Sequence, residues 1–358
     1  MIDSTHTSKK YASQASLAWG RVTRDDVAMR AGVSAATVSY VVNNGPRPVA
    51  PATRERVLQA IRDLGYTPDA VARSLRTRHT GLLGLIVPDS ANLFFAELAR
   101  QIELAAEERG YHILLCNSGE DASREHAHLE ALRQQRVDGL LLIPTDTVES
   151  SHVSTEHDIP IVVLDRSPLI SAQRVICTSP EVGSALAVKH LVTLDHRHIG
   201  FAHGPLRLSH ARRRLEGGIA ALHHYGLQSL PEWLIECSFD FAGGWQAAQR
   251  FLAQSSHPTA ICCGNDAIAV GLLAGLHAAG VAVPEAISVV GFDDIPLARY
   301  AIPPLTTIAQ PYAAMAQRAL DALLNSARIP SSENAPEVKE VLPVTLVQRR
   351  STASPLNL

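Results

Sequence analysis

No two of the five cysteines (Cys116, Cys177, Cys237, Cys262 and Cys263) stand in CxxC spacing, and their number is odd. That argues against a disulfide framework, and the cysteines read as reduced, mostly buried thiols. No apolar run approaches the roughly 18 residues that a membrane span needs. The first twenty residues are polar and lack an apolar signal region, so a cytoplasmic protein with no membrane partner is expected. Sixteen histidines are present, yet none stands in HExxH or Cys/His ligand spacing, and no GxSxG, Walker-type loop or GxGxxG follows an apolar run. The chain therefore lacks the residue patterns of metal, nucleophilic and nucleotide-cofactor chemistry. No enzyme activity, cofactor or metal is expected.

Lysine is also absent between residues 21 and 79. Ten arginines stand there against five acids, a net charge of +5. Residues 1–20 add +1, and the remainder holds twenty bases against twenty-nine acids, a net of −9. The whole chain is at −3, which alone argues against a nucleic-acid partner. Its distribution argues the other way: a small basic head on an acidic body is the footprint of a DNA-binding module joined to something else. A length of 358 residues, 46% of them apolar, suggests two or three domains with real cores.

Within the head, Thr23 followed three residues later by Asp26 has the form of a capping box, opening a helix over residues 24–30. Ala31, Gly32 and Val33 make a tight turn, and Ser34 caps a second helix over 35–42. Two short helices joined by a glycine turn are a helix-turn-helix. Ala28, Val33, Val38 and Val41 are placed to pack the pair, leaving Ala35, Ala36, Ser39 and Tyr40 facing outward where base edges are read. A third helix starts near Pro51 and ends at Gly65, with Val57, Ala60, Ile61 and Leu64 as its apolar stripe.

Residues 23–43, TRDDVAMRAGVSAATVSYVVN, closely resemble the DNA-binding signature of the LacI/GalR family of repressors. GYTPDAVARSLRTRHTGLLGLIVPD, from Gly65, resembles that family's hinge and first core strand. The resemblance extends to about Arg349. It implies a small all-α helix-turn-helix head (residues 21–66) and a hinge helix with linker (67–79). It then implies a two-lobed α/β core of periplasmic-binding-protein-like, doubly wound parallel sheets (80–349). Residues 1–20 are expected to be a disordered tail and 350–358 a short C-terminal one, too short for a tetramerising heptad helix. DNA contacts are expected from Thr23, Ser34, Ala35, Ala36, Thr37, Ser39, Tyr40 and Asn43, and from Arg73 and Leu75 in a hinge helix that folds on DNA. Leu75 stands where the family wedges a leucine into the minor groove. Ala50 replaces a usual serine cap, Ser-Pro-Glu-Val-Gly (179–183) a usual Asp-Asn pair, and Thr-Leu-Asp-His (193–196) a common Leu-Gly-His.

The body itself alternates strand-like and helical segments, which implies parallel sheets with ligands bound beyond the C-terminal strand ends. The family topology places three lobe crossings near residues 177–179, 307–310 and 340. After the first strand, Asn92, Phe94 and Phe95 are candidate effector contacts, the rings as a stacking face. Thr145, past a later strand, joins them. Arg214 and Asp293 match the family's effector-binding arginine and carboxylate, and Phe239 its aromatic wall. Asn265 can donate and accept, although an Asn-Asp pair after a strand is also a common helix cap, a role assigned here to Asp266 rather than to ligand binding. Gln310 and Tyr312 lie at the second crossing, and Gln310 completes the effector set. Arg212 and Arg213 are read as solvated.

The expectation is a sequence-specific transcriptional regulator of repressor type, a homodimer on a pseudo-palindromic operator under small-molecule control. Hydroxyl-bonding groups beside an aromatic wall favour a sugar or sugar derivative. A nucleobase or nucleoside sandwiched by Phe94 and Phe239 is the alternative. A solute-binding protein would fit the body, but not the basic head.

Overall fold

Thr23 sets the first turn of the head. Its side chain accepts the Asp26 amide at 3.3 Å while the Asp26 carboxylate accepts the Thr23 amide at 2.8 Å, a reciprocal capping box that opens α1 (Arg24–Ala31). Gly32, at φ 63, closes that helix in the left-handed conformation open to glycine. Ser34 accepts the Thr37 amide at 3.2 Å and opens α2 (Ala35–Val42). The third helix, α3 (Pro51–Leu64), has no side-chain cap because Ala50 offers no acceptor, and it starts on Pro51 alone. Val27, Val38 and Val57 are fully buried at the centre of the three helices. Ala35, expected to face outward, instead packs partly against this core, whereas Ala36 is exposed.

The computed structural model describes residues 22–43, 45, 47–67, 79–145, 159–165, 174–326 and 338–355. The expected tail (1–20) and hinge helix, with Arg73 and Leu75, lie outside the described residues. The chain divides at Thr80 into the head and a second unit, each considered by itself.

The described residues of the second unit form two six-stranded sheets. The first is built from β1 (Leu82–Val87), β2 (His112–Asn117), β3 (Gly139–Leu142), β4 (Ile161–Leu164), β5 (Arg174–Thr178) and β11 (Val338–Leu342), in the order β11-β5-β4-β3-β1-β2, all parallel. The second uses β6 (Ile199–His203), β7 (Leu234–Glu236), β8 (Ala260–Cys263), β9 (Ser288–Asp293), β10 (Thr306–Ala309) and β12 (Thr345–Val347). Its order is β12-β10-β9-β8-β6-β7, and only β12 is antiparallel. Runs such as LLGLIV in β1 are apolar throughout because both faces of a parallel sheet are covered. Helices α4 (Leu93–Glu107) and α10 (Tyr312–Ser326) cover one face of the first sheet, and α5 (Ala122–Gln134) the other. In the second lobe α6 (Pro180–Thr193) and α7 (Ser209–His224) pack together on one face, with α8 (Phe241–Leu252) and α9 (Asp266–Ala278) on the other.

Among the described residues three connections join the lobes: β5 to α6, β10 to α10, and β11 to β12. The third falls at residues 342–345, slightly beyond Glu340, because Glu340 is still paired with Ile176 inside the first sheet. In each sheet the strand order reverses beside one strand, at β1 and at β6. Such switch points open crevices past the carboxyl ends of the strands. Among the described residues no helix is long and apolar enough to cross a membrane.

Candidate functional site

Loops leaving those strand ends line a cavity of about 220 Å³ between the lobes. From the first lobe comes Asn92, whose side-chain oxygen caps α4 by accepting the Phe94 amide at 3.0 Å. From the second comes Asn265, which caps α9 by accepting the Ile268 amide at 2.8 Å. Both oxygens thus serve as caps; the Asn265 amide nitrogen also donates to the Phe239 carbonyl at 3.5 Å, which leaves one of its two N–H bonds for the cavity beside the amide nitrogen of Asn92. The cap role assigned to Asp266 is therefore corrected. Asp266 is fully buried and accepts from the Ile295 amide and the Thr307 hydroxyl. Burial first, and the neighbouring Asp293 second, raise its carboxyl well above the usual range.

Asp293 ends β9, and both it and Asp294 hold positive φ values, 117 and 56, in a region that side chains rarely adopt. Strain of this kind persists where surroundings over-determine it, and here they do. Asp293 Oδ1 accepts from Arg214 Nη2 at 3.1 Å and from Gln310 Nε2 at 2.8 Å. Arg214, from α7, also donates to the Gly264 carbonyl, and its guanidinium carbon lies 3.7 Å from the centre of the Phe292 ring. Burial pushes the Asp293 carboxyl up to about 6, although Arg214 and Gln310 pull it down. At neutral pH it is a carboxylate, paired and buried. Such a pair contributes little net stability but presents a fixed donor and acceptor.

Phe94 and Phe95 also line the cavity, yet both are buried in the core of the first lobe, edge to face at 5.1 Å, and Phe94 packs on Tyr312. Phe239 is half-buried, with His210 stacked on its ring at 5.2 Å and 19°. Gly204 makes room for it, since a Cβ there would stand 2.2 Å from the Phe239 ring.

The cavity thus gathers Asn92, Phe94, Phe95, Arg214, Phe239, Asn265 and Asp293 of the expected set. Gln310 does not line it; it stands behind Asp293. Thr145 does not line it either: it lies past β3, and its amide donates to the buried Glu125. Sequence reasoning missed His210 and Arg207, as well as Asp89, Glu120, Asp165 and Asp240. His210 stands in the first turn of α7 and the others on loops with no periodic signal, and only the meeting of the lobes brings them together. Arg213, read as solvated, is half-buried and donates through Nε and Nη2 to Glu181, the latter at 3.0 Å. His196 is a structural residue, its ring held by Thr259, Ser288 and the Ala353 carbonyl.

In the head, α2 carries Ala35, Ala36, Thr37, Ser39 and Tyr40 behind the Ser34 cap. Ser34 Oγ and Thr37 Oγ1 are 2.9 Å apart, and Asn43 Nδ2 donates to the Ser39 carbonyl at 2.9 Å. Thr23 is tied to Asp26.

Residues 23–69 match the bacterial regulatory proteins of the lacI family, and residues 188–352 match the periplasmic binding protein-like domain. The chain is 39% identical over 333 residues to the ribose operon repressor of Haemophilus influenzae, covering 93% of this chain and 99% of that one. It is 37% identical over 334 residues to the HTH-type transcriptional repressor PurR of Vibrio vulnificus, covering 93% and 98%. Among solved structures it is similar to the lac repressor dimer bound to operator and the anti-inducer ONPF. The TM-score there is 0.81 at 32% identity, over 93% of this chain and 99% of that one. A LacI family regulator from Enterococcus faecium with bound ribose gives a TM-score of 0.67 at 30% identity, over 76% and 99%.

Proposed function

Because the chain belongs to the lacI family of bacterial regulatory proteins, effector-controlled transcriptional repressors without enzymatic activity, we propose that its effector is a free monosaccharide held between the lobes. The observation that carries this reading is the Arg214–Asp293 pair at the cavity. A guanidinium and a carboxylate fixed side by side offer a donor and an acceptor to adjacent hydroxyls. The amide nitrogens of Asn92 and Asn265 add donors, and Phe239 an apolar wall for a sugar ring.

Size and charge narrow the class. About 220 Å³ is below the roughly 300–1,000 Å³ of sites for drug-sized ligands, which favours a single ring. Asp89, Glu120, Asp165, Asp240 and Asp293 outnumber Arg207 and Arg214 around the cavity, so a phosphorylated ligand would meet net repulsion. A purine base is the second reading, favoured by the likeness to the PurR repressor. Against it, Phe94 is held edge to face within its own core and so does not pair with Phe239 to sandwich a planar base.

The proposed working form is a homodimer. Two heads read the halves of a pseudo-palindromic operator through Thr23, Ser34, Ala35, Ala36, Thr37, Ser39, Tyr40 and Asn43, with Arg73 and Leu75 from the hinge. The effector favours one lobe arrangement and shifts operator affinity by a reciprocal coupling, typically about 1–3 kcal/mol. Isothermal titration with D-ribose, other pentoses and hexoses, and with hypoxanthine and guanine, tests the effector class. Heat with a sugar is expected; heat with the purines alone overturns the reading. Selection of bound duplexes from a random library should enrich a palindrome of about 14–20 base pairs with a deformable centre.

A further inference from the structure

Thr178 touches all three connections between the lobes. As the last residue of β5 it begins the first connection. Its backbone pairs in register with Leu342, the last residue of β11, where the third connection starts. Its hydroxyl donates to the side-chain oxygen of Gln310 at 2.8 Å, and Gln310 is the first residue past β10, in the second connection. Gln310 is in turn tied to Asp293 twice. Its amide nitrogen donates to Oδ1 at 2.8 Å and its backbone N–H to the Asp293 carbonyl at 3.3 Å. Thr178 and Gln310 are 4% exposed and Asp293 is 3% exposed, so water does not compete for these bonds.

Chemistry fixes the sense of the chain. An ionised carboxylate only accepts, so Gln310 must turn its NH₂ toward Asp293 and its carbonyl toward Thr178, whose hydroxyl must then donate. Bonds aligned this way polarise one another, and a disturbance at one end weakens the other. Asp293 faces the cavity at one end, and the three connections meet at the other.

We propose that Thr178 is a positioning residue that carries effector occupancy from Asp293, through Gln310, to all three interlobe connections at once. It does not touch the effector. The inference rests on the reading of Asp293 as an effector contact. A ligand hydroxyl donating to the Asp293 carboxylate draws on the charge it shares with Oδ1, which already accepts from both Gln310 and Arg214, so the Gln310 bond weakens, its side chain shifts and the Thr178 bond lengthens or breaks. The three connections are then released from their common register.

The test uses the full-length protein, D-ribose as probe, and an operator duplex enriched by selection. The readout is the ratio of operator affinities with and without saturating D-ribose. Thr178→Val keeps the shape and removes the hydroxyl; Thr178→Ser keeps the hydroxyl. In Thr178→Val, D-ribose affinity should stay within about threefold of wild type while the ratio falls toward one by about fivefold, the scale of one buried hydrogen bond. Thr178→Ser should restore the ratio. An unchanged ratio in Thr178→Val, an equal loss in Thr178→Ser, or loss of D-ribose binding itself would overturn the proposal. Amide hydrogen exchange, which needs no ligand, separates this failure from failure of the effector reading. In effector-free Thr178→Val, residues 179–183, 311–315 and 343–347 should lose protection together. Loss confined to 179–183 would sink the proposal whatever D-ribose does.

Discussion

The two lobes share a strand order but bring unlike chemistry to the space between them. The first sheet runs β2-β1-β3-β4-β5 and the second β7-β6-β8-β9-β10. Each therefore aims its switch-point loops at the cavity, and each caps the following helix with an asparagine, Asn92 or Asn265. There the likeness stops. The first lobe adds two phenylalanine rings that belong to its own core. The second adds a buried ion pair braced by Gly264 and Gln310. One framework thus brings core rings to the cavity from one side and a braced ion pair from the other. Backbone topology decides where a ligand sits, and a few side chains at strand ends decide what it is.

The comparison breaks most visibly at Arg214. Arg214→Met leaves the Asp293 carboxylate buried without its cation, a change that typically costs about 3–5 kcal/mol. Denaturant unfolding should show that loss, and titration should show no D-ribose heat while the head still binds operator. Intact D-ribose binding would move recognition to the other lobe. Next come the rings. Phe94→Ala empties a core position and should destabilise by about 3–5 kcal/mol with only a modest effect on affinity. Phe239→Ala, at a half-buried site, should do the reverse. Matched unfolding and titration series on the two variants would expose an exchange of roles.

A smaller effect comes from pH. Burial holds the Asp293 carboxyl at about 6 against an ordinary 3.8, so the folded state favours its neutral form. Its contribution to stability therefore declines as pH rises from about 4 to 6 and is flat above. Affinity for a ligand that donates to the carboxylate runs the opposite way and is lost as pH falls through about 6. Titrations and melts between pH 5 and 8 should show both trends, and Asp293→Asn should remove both. The smallest contrast is at the caps. Asn92→Asp and Asn265→Asp keep the capping oxygen and remove the donor. Each should lower D-ribose affinity by a few-fold to about tenfold with little change in melting temperature. A drop in only one variant would show which lobe supplies the donor that matters.

What the sequence revealed follows the range of the interactions. The Thr23–Asp26 capping box and the Ser34 cap span three residues, so the head was legible almost to the residue. The apolar strands β1 and β9, six residues each, were equally plain. Strands β7 and β12, with three residues each, carry too little pattern to be seen. Arg214 and Asp293 came from the family resemblance, yet their mutual bond joins residues 79 apart and is set by tertiary structure alone. The same holds for His210 on Phe239 and Arg213 on Glu181. Asp266 misled because Asn and Asp cap equally well, and only the register of α9 decides between neighbours.

The three connections between the lobes have a mechanical consequence. Thr178, Gln310 and Leu342 lie together, so the connections run side by side as a short band. Parallel straps behave as a flexure: stiff against stretch, slip and shear, soft against bending about the line across them. Lobe motion is thereby confined to one soft coordinate, an opening angle. A small-molecule effector then need not remodel either lobe. It has only to tip a balance along a path the covalent chain has already laid down.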